Sequence, residues 1–471
     1  MRDYLIFIPE LYTLAVALVF LVLAMARPDH RRDQTVAVLA AGVGVLVCLT
    51  GVFFRGELFF DTYRVDLFSQ VFKVMLLTGL FFVLVMCKEL EGVAESFRSE
   101  FYLLLFVCTL SMMMLVSSVH LLTVYVALEL SSYSLYILVF LRKERELGAP
   151  AGIQYFLMGA TASAIMLFGL AFLYAAAGSA YLSELIRVLP GIIDQPWVTL
   201  GLLMTLCGFF FKLALFPFHF WAPVAYYAAP NQTAAYIATA SKVAAIGVLV
   251  RFTAFGAGSE YLVHVLVVLS VASMTVGNLA ALVQKDFKKL LAYSSVAHAG
   301  YVLIGVVSLS PEGYASVLYY AAAVLVMKFT CFLVLIQASP DGGNLPLSGL
   351  AGLHRRSPLL AMALMLALFG LAGIPPTIGF TAKLLVFLAA MDKGLLVLVI
   401  IAMINVTVSL YYYLLVVKAA YLDEPPETPA PLTLSLPVRT LTIVLVVLTV
   451  LGGIYPNPLM NLARDAAAAL M

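Results

Sequence analysis

Lys212, Lys242, Lys328 and Lys383 each stand deep in a run of apolar residues, and Glu129 is the one carboxylate in the middle of such a run. A lysine in the hydrocarbon region costs about 2.5–3.5 kcal/mol on insertion scales, so it needs a partner or a task. Two histidines, His219 and His298, join the set. Each residue alone has a bland reading: a lysine satisfied by backbone carbonyls, a histidine hydrogen-bonded within a bundle. Together, an acid and several amines spread over separate helices favour a proton or cation relay. Burial disfavours a charged amine and a nearby carboxylate favours it, so a small change in separation moves a proton. Lys73 is read differently, as a lysine near the end of its span that snorkels to the surface and carries no role.

The segments around these residues must be interrupted helices. GFFFKLALFPFHFWAPVAYYAAPNQTAAYIATASK, residues 208–242, begins as an apolar helix carrying Lys212. Pro217 removes a backbone donor and clashes with the preceding turn, so it breaks or kinks that helix. His219 falls on the Lys212 face if helix continues across the break. Pro223 and Pro230 end the segment, and a further apolar helix buries Lys242. LFGLAGIPPTIGFTAKLLVFLAAM repeats the theme, with Pro375 and Pro376 at the break and Lys383 beyond it. Aligning LFPFHFW with GIPPTIGF sets Pro217 against Pro376. Broken helices at corresponding places suggest two repeats of five helices, which an odd helix number requires to be inverted.

Composition sets the class. The chain is 63% hydrophobic and 11% charged over 471 residues, whereas soluble domains carry roughly 25% charged residues. It reads as an all-α polytopic membrane protein. Apolar spans are expected near 4–26, 35–54, 67–87, 100–118, 120–141, 150–177, 197–219, 231–255, 260–282, 288–308, 312–337, 358–391, 395–421 and 438–460, about fourteen transmembrane helices. Residues 1–99 form a three-helix scaffold, 100–255 and 260–421 the two repeats, and 438–471 a C-terminal helix. The first span is too long and wrongly flanked for a signal peptide. Arg27, Arg31, Arg32, Arg142, Lys143, Arg145, Lys285, Lys288, Lys289, Arg355 and Arg356 crowd alternate links. The opposite links, with Arg251 among their charges, hold roughly half as many Lys and Arg, placing both termini on the outer side of the membrane. The acidic, proline-rich link at 423–431 is expected to be extended. Cys48, Cys87, Cys108, Cys207 and Cys331 are scattered singly, without metal-ligand or disulfide spacing.

FFFKLALFPFHFWAP, ATASKVAAIGVL, DFKKLLAYSSVAHAGYVLIG and LAGIPPTIGFTAKLLVF together resemble the antiporter-like membrane subunits of proton-pumping NADH:quinone oxidoreductase, respiratory complex I. Mrp-type antiporters and membrane-bound hydrogenases share that family. The similarity spans roughly residues 100–421 and is greatest to the subunit N branch, since Lys383 stands where the M branch has glutamate. The resemblance implies that Glu129 pairs with Lys212, the switching lysine. It makes Lys242 the link onward, Lys383 the terminal proton carrier, and His219 and His298 members of the relay. Val224 and Tyr227 replace two acids usual in relatives, and Lys328 replaces a common asparagine.

The chain shows no nucleotide-binding glycine motif, phosphate loop or ligand cluster. The resemblance therefore implies that NADH, FMN, iron–sulfur clusters and quinone belong to other subunits. It also implies neighbouring membrane subunits as partners, a bacterial inner-membrane location, and no nucleic acid. A subunit of a multi-chain Na+/H+ antiporter is the alternative, separable by whether the flanking genes encode redox subunits.

Overall fold

A computed structural model of the chain describes residues 2–26, 29–253, 259–339, 341–425 and 431–470. Arg27 and residues 426–430 of the acidic link lie outside them. The first helices are α1 (Ile8–Met25), α2 (His30–Thr50), α3 (Leu67–Val85), α4 (Arg98–Ser117), α5 (Leu121–Phe140), α6 (Arg145–Ala177) and α7 (Leu182–Val188). The middle of the chain forms α8 (Pro196–Leu213), α9 (Trp221–Ala228), α10 (Asn231–Ala238), α11 (Ala240–Thr253), α12 (Glu260–Leu282), α13 (Phe287–Val307) and α14 (Pro311–Ala338). The remainder is α15 (Leu353–Arg356), α16 (Pro358–Ala372), α17 (Ile378–Met391), α18 (Leu396–Tyr421), α19 (Leu436–Ile454) and α20 (Asn457–Ala468). A hairpin of β1 (Gly56–Leu58) and β2 (Tyr63–Val65) interrupts the helical pattern between α2 and α3. It was not expected, being too short to register as alternation.

Thirteen helical stretches among the described residues are long and apolar enough to cross a membrane, with α10 and α11 counted as one. The shorter pair α16 and α17 supplies one more crossing, in line with the fourteen expected. The separation of α4 from α5 is real: the chain turns at Ser118–His120, and the His120 ring accepts from the Leu122 amide at 3.3 Å.

Burial sorts the helices into an axis and a jacket. The apolar stretches of α3, α10–α11, α13 and α14 are between 83% and 100% buried, those of α1, α2, α6, α12, α18 and α19 at most 39%. An axial helix is apolar all round because protein surrounds it, whereas a jacket helix offers one apolar face to lipid. α3 thus stands in the interior although it comes from the first hundred residues. A large apolar core runs through the bundle, including Phe20 of α1, Leu76 of α3 and Leu445 of α19, and a small separate cluster of Ile6, Leu58, Tyr63 and Val65 sits at the hairpin.

Both breaks have the same backbone form. α8 stops at Leu213, four residues before Pro217. Ala214 adopts the left-handed conformation (φ 58°), and the Leu215 amide reaches back to the Phe210 carbonyl at 2.9 Å. α16 stops at Ala372, four residues before Pro376. Gly373 is left-handed (φ 87°), and the Ile374 amide reaches the Phe369 carbonyl at 2.9 Å. This is the closure by which helices commonly end at a left-handed residue. Phe216–Pro217 and Pro375–Pro376 are both cis. Near the second break only glycine fits: a Cβ on Gly379 would lie 1.9 Å from the Gly370 carbonyl oxygen, and one on Gly453 of α19 2.1 Å from that of Pro376. A further break, at Thr239 between α10 and α11, was not anticipated, since no proline or glycine marks it.

Candidate functional site: a buried polar axis

Each break creates a chemical vacancy that the sequence dictates. A proline withholds the amide that would pair with the carbonyl four residues earlier. For Pro217 that carbonyl is Leu213, and Lys242 Nζ of α11 donates to it at 2.6 Å. For Pro375 and Pro376 the carbonyls are Leu371 and Ala372, and Lys383 Nζ of α17 donates to them at 2.8 and 3.1 Å. The carbonyl end of a helix carries partial negative charge, so a cation there is doubly favoured. Trp221 adds to the first break, its indole N–H donating to the Phe211 carbonyl at 2.9 Å while its ring stacks on Tyr155. Lys242 lies over the same indole, 5.6 Å from its centre.

Lys212, on α8 immediately before the break, is 2% exposed. Its Nζ donates to the Ser131 and Ser132 hydroxyls of α5, the latter at 3.1 Å. Glu129, on the same α5, is only half-buried and accepts from the Ser163 hydroxyl of α6. Glu129 and Lys212 therefore do not touch. No ion pair joins them among the described residues; seryl hydroxyls occupy the amine, and the acid shares α5 with the exposed Val126, Leu130 and Tyr133.

Beyond Lys242 the axis continues through a cavity of about 20 Å³ lined by Lys242, Ser295 and His298, room for about one water molecule. The two ring nitrogens of His298 meet the hydroxyls of Tyr320 at 2.8 Å and Tyr413 at 3.3 Å. The Tyr413 hydroxyl is also hydrogen-bonded to Ser294 at 2.5 Å. Lys328 Nζ donates to that serine at 2.7 Å and to the Leu291 carbonyl at 2.8 Å. Lys383 closes the series, 4.7 Å from the centre of the Tyr301 ring, whose edge meets His298. Lys242, Lys328, Lys383 and His298 are all at most 5% exposed.

His219 does not belong to this series. The helix that would have placed it below Lys212 ends at Leu213, so the ring sits between Phe216 and Phe220 and its Nδ1 has no partner. Lys73 does not snorkel. It is fully buried in an ion pair with Glu10 of α1 at 2.8 Å, so Glu129 is not the one carboxylate within a span. Arg251 and Lys288 are likewise not link residues. Arg251 is buried against Asp66 at 3.0 Å, and Lys288 donates to the Ala229 carbonyl at 3.0 Å. Sequence reasoning missed Ser131, Ser132, Ser163, Ser294, Tyr301, Tyr320 and Tyr413, all hydroxyl groups inside apolar spans. For Ser131, Ser132, Ser294 and Tyr301 the signal was their place within about one turn of Glu129 or His298, in LELSS and AYSSVAHAGY; Ser163, Tyr320 and Tyr413 carried no such signal. Among the described residues no three His, Cys, Asp or Glu side chains converge as a metal ion would require.

The family profile described as NADH:quinone oxidoreductase/Mrp antiporter matches residues 118–409, the stretch that holds Glu129, the four lysines and His298. The chain belongs to this family. A curated relative from Syntrophobacter fumaroxidans, named NADH-quinone oxidoreductase subunit N 2, is 60% identical over the full length of both chains. One of the same name from Opitutus terrae is 40% identical, covering 97% of this chain and 96% of the relative. Among solved structures, a chain of respiratory complex I from Thermus thermophilus superposes with a TM-score of 0.85 at 33% identity, covering 97% of this chain and 99% of that one. A chain of the Mrp complex from Dietzia has a TM-score of 0.86 at 22% identity, over 98% and 97% of the two chains. That second likeness speaks to fold alone.

Proposed function

We propose that this chain is a proton-translocating membrane subunit of a bacterial NADH:quinone oxidoreductase. Protons pass along Glu129, Lys212, Lys242, His298, Lys328 and Lys383, driven by quinone reduction elsewhere in the complex. NADH, FMN, the iron–sulfur clusters and the quinone are handled by other chains, and the Mrp-type antiporter reading is secondary because the high identities are to oxidoreductase subunits. The observation that carries the reading is the satisfaction of proline-orphaned carbonyls by Lys242 and Lys383, linked by hydroxyl groups, a histidine and a water-sized cavity. An ammonium held by neutral carbonyls and hydroxyls can give up its proton without leaving a buried carboxylate unpaired.

Two inverted five-helix repeats, near 100–255 and 260–421, would account for the matched breaks: four crossings lie between α8 and α16, so the two helices would approach their breaks from opposite sides of the membrane. The three N-terminal helices and the C-terminal segment flank them. Both termini lie on the outer side, as the distribution of Lys and Arg favours. The half-buried Glu129 and its exposed apolar neighbours on α5 form the face where a neighbouring membrane subunit would sit. Lys212→Ala should lower vesicle acidification by roughly tenfold or more while the complex still assembles, because carriers in one relay act as a unit. Lys212→Arg should fail too, since a guanidinium does not release its proton. Acidification at the wild-type rate by assembled Lys212→Ala complex would refute the role.

A further inference from the structure

The Glu10–Lys73 pair lies outside this axis, and its surroundings are those of a site and not of a simple strut. Glu10 and Lys73 are both fully buried, on α1 and α3. The Tyr63 hydroxyl, from strand β2, donates to the same Glu10 oxygen at 2.7 Å, and Lys73 Nζ lies 5.1 Å from the Tyr63 ring centre. Solvation of the pair stops there. Among the described residues, the second carboxylate oxygen, Glu10 Oε2, has no partner, and Glu10 Oε1 is the one polar atom that meets the lysine Nζ. Ser117 of α4 presents another buried hydroxyl without a partner, close to Tyr63. Cys48 of α2 faces the pair; Thr13, one turn along α1, is turned to the Pro9 carbonyl, and Gln70 of α3 to the Gly51 carbonyl.

A buried ion pair is a poor stabilising device, because apolar residues of similar volume serve as well or better. One whose carboxylate has a free oxygen, and whose ammonium has one acceptor for three donors, is poorer still. Such a pair has a ready alternative: the proton crosses from Nζ to the carboxylate along the existing contact, leaving a neutral acid and a neutral amine. The surroundings also give a way out. Tyr63 belongs to a hairpin whose turn carries Phe60 fully in the open. Toward the hairpin, α3 carries Gln70 and Ser69 and is capped by Asp66, which is paired with Arg251 of α11, the helix that carries Lys242.

We propose that Glu10, Lys73 and Tyr63 form a second proton-holding site, which exchanges protons with the aqueous phase at the hairpin end of the bundle. The site does not require the route through Lys212, so failure of that relay would leave it in place. The measurement is the infrared difference spectrum of the intact, membrane-reconstituted complex between acidic and alkaline buffer. The carbonyl stretch of a protonated carboxyl present in the wild type should be missing from Glu10→Gln and retained in Lys212→Ala. Identical wild-type and Glu10→Gln spectra would overturn the site. Should Glu10→Gln fail to assemble, Tyr63→Phe, which removes only the donated hydroxyl, must shift that band; an unshifted band would equally overturn it. A structural role is tested by Glu10→Leu/Lys73→Met, which replaces the pair by apolar bulk. At least a twofold loss of protons moved per electron in assembled complex supports the site, and full wild-type stoichiometry refutes it.

Discussion

The two helix breaks solve one problem with different parts. At the first, one proline orphans one carbonyl, Leu213, and the lysine that fills it, Lys242, comes from the neighbouring span. At the second, two prolines orphan Leu371 and Ala372, and the lysine that fills both, Lys383, comes from the helix just beyond the break. The first break also has a lysine on its incoming helix, Lys212, held among the described residues by hydroxyls; the matching place before Pro376 is Leu371. A lysine bound to frozen carbonyls is anchored, and one bound to rotatable serines is free to swing. Within the proposed relay, the comparison casts Lys212 as the moving part, and Lys242 and Lys383 as the fixed stations.

The largest expected effect is on transport. Lys242→Met and Lys383→Met should each cut vesicle acidification by roughly tenfold, as loss of any member of one relay does. Near-wild-type acidification by either assembled variant would remove that lysine from the path.

Next comes stability, where the breaks should differ. A buried carbonyl left unpaired costs about 1–3 kcal/mol. Lys383→Met strands two and Lys242→Met one, so the former should lower the thermal midpoint of the solubilised complex further. Pro217→Ala restores the missing amide, so Lys242→Met should cost less in that background, a coupling that a double-mutant cycle reads directly. Equal costs with and without Pro217 would contradict the carbonyl account.

Smaller effects probe the hydroxyls and the backbone. Ser131→Ala/Ser132→Ala should slow acidification several-fold, leaving Lys212 without its resting partners, with native gels showing intact complex. Ala214 and Gly373 hold the same left-handed position, which costs a residue with a Cβ about 1–2 kcal/mol. Ala214→Gly should therefore be neutral or stabilising and Gly373→Ala destabilising. The second change also presses a Cβ to 3.0 Å from Lys383 Cδ, so it should impair transport as well.

Much of this was legible in the sequence because membrane physics is severe. Runs of apolar residues gave the crossings, and lysines inside such runs gave the axis. Prolines placed the breaks, though four residues late, because a proline's clash ends the helix at its i−4 carbonyl and not at itself. That offset misplaced His219. Lys73 was misjudged because nearness to a helix end in sequence says nothing of what packs over it; Glu10, Tyr63 and the hairpin cover it in three dimensions. The partners of Lys212 were illegible for a related reason. Serines in a helix ordinarily turn to their own backbone, and only the approach of α8 to α5 makes two of them ligands for an amine.

The central claim, that both breaks serve one path, is tested most directly by the proton-to-electron stoichiometry of reconstituted complex carrying Lys212→Met, Lys383→Met, or both. A single relay predicts that all three variants lose the same number of protons per electron, since either change already stops the path. A double variant losing about the sum of the two single losses would mean two separate routes, as independent sites add, and would contradict the account.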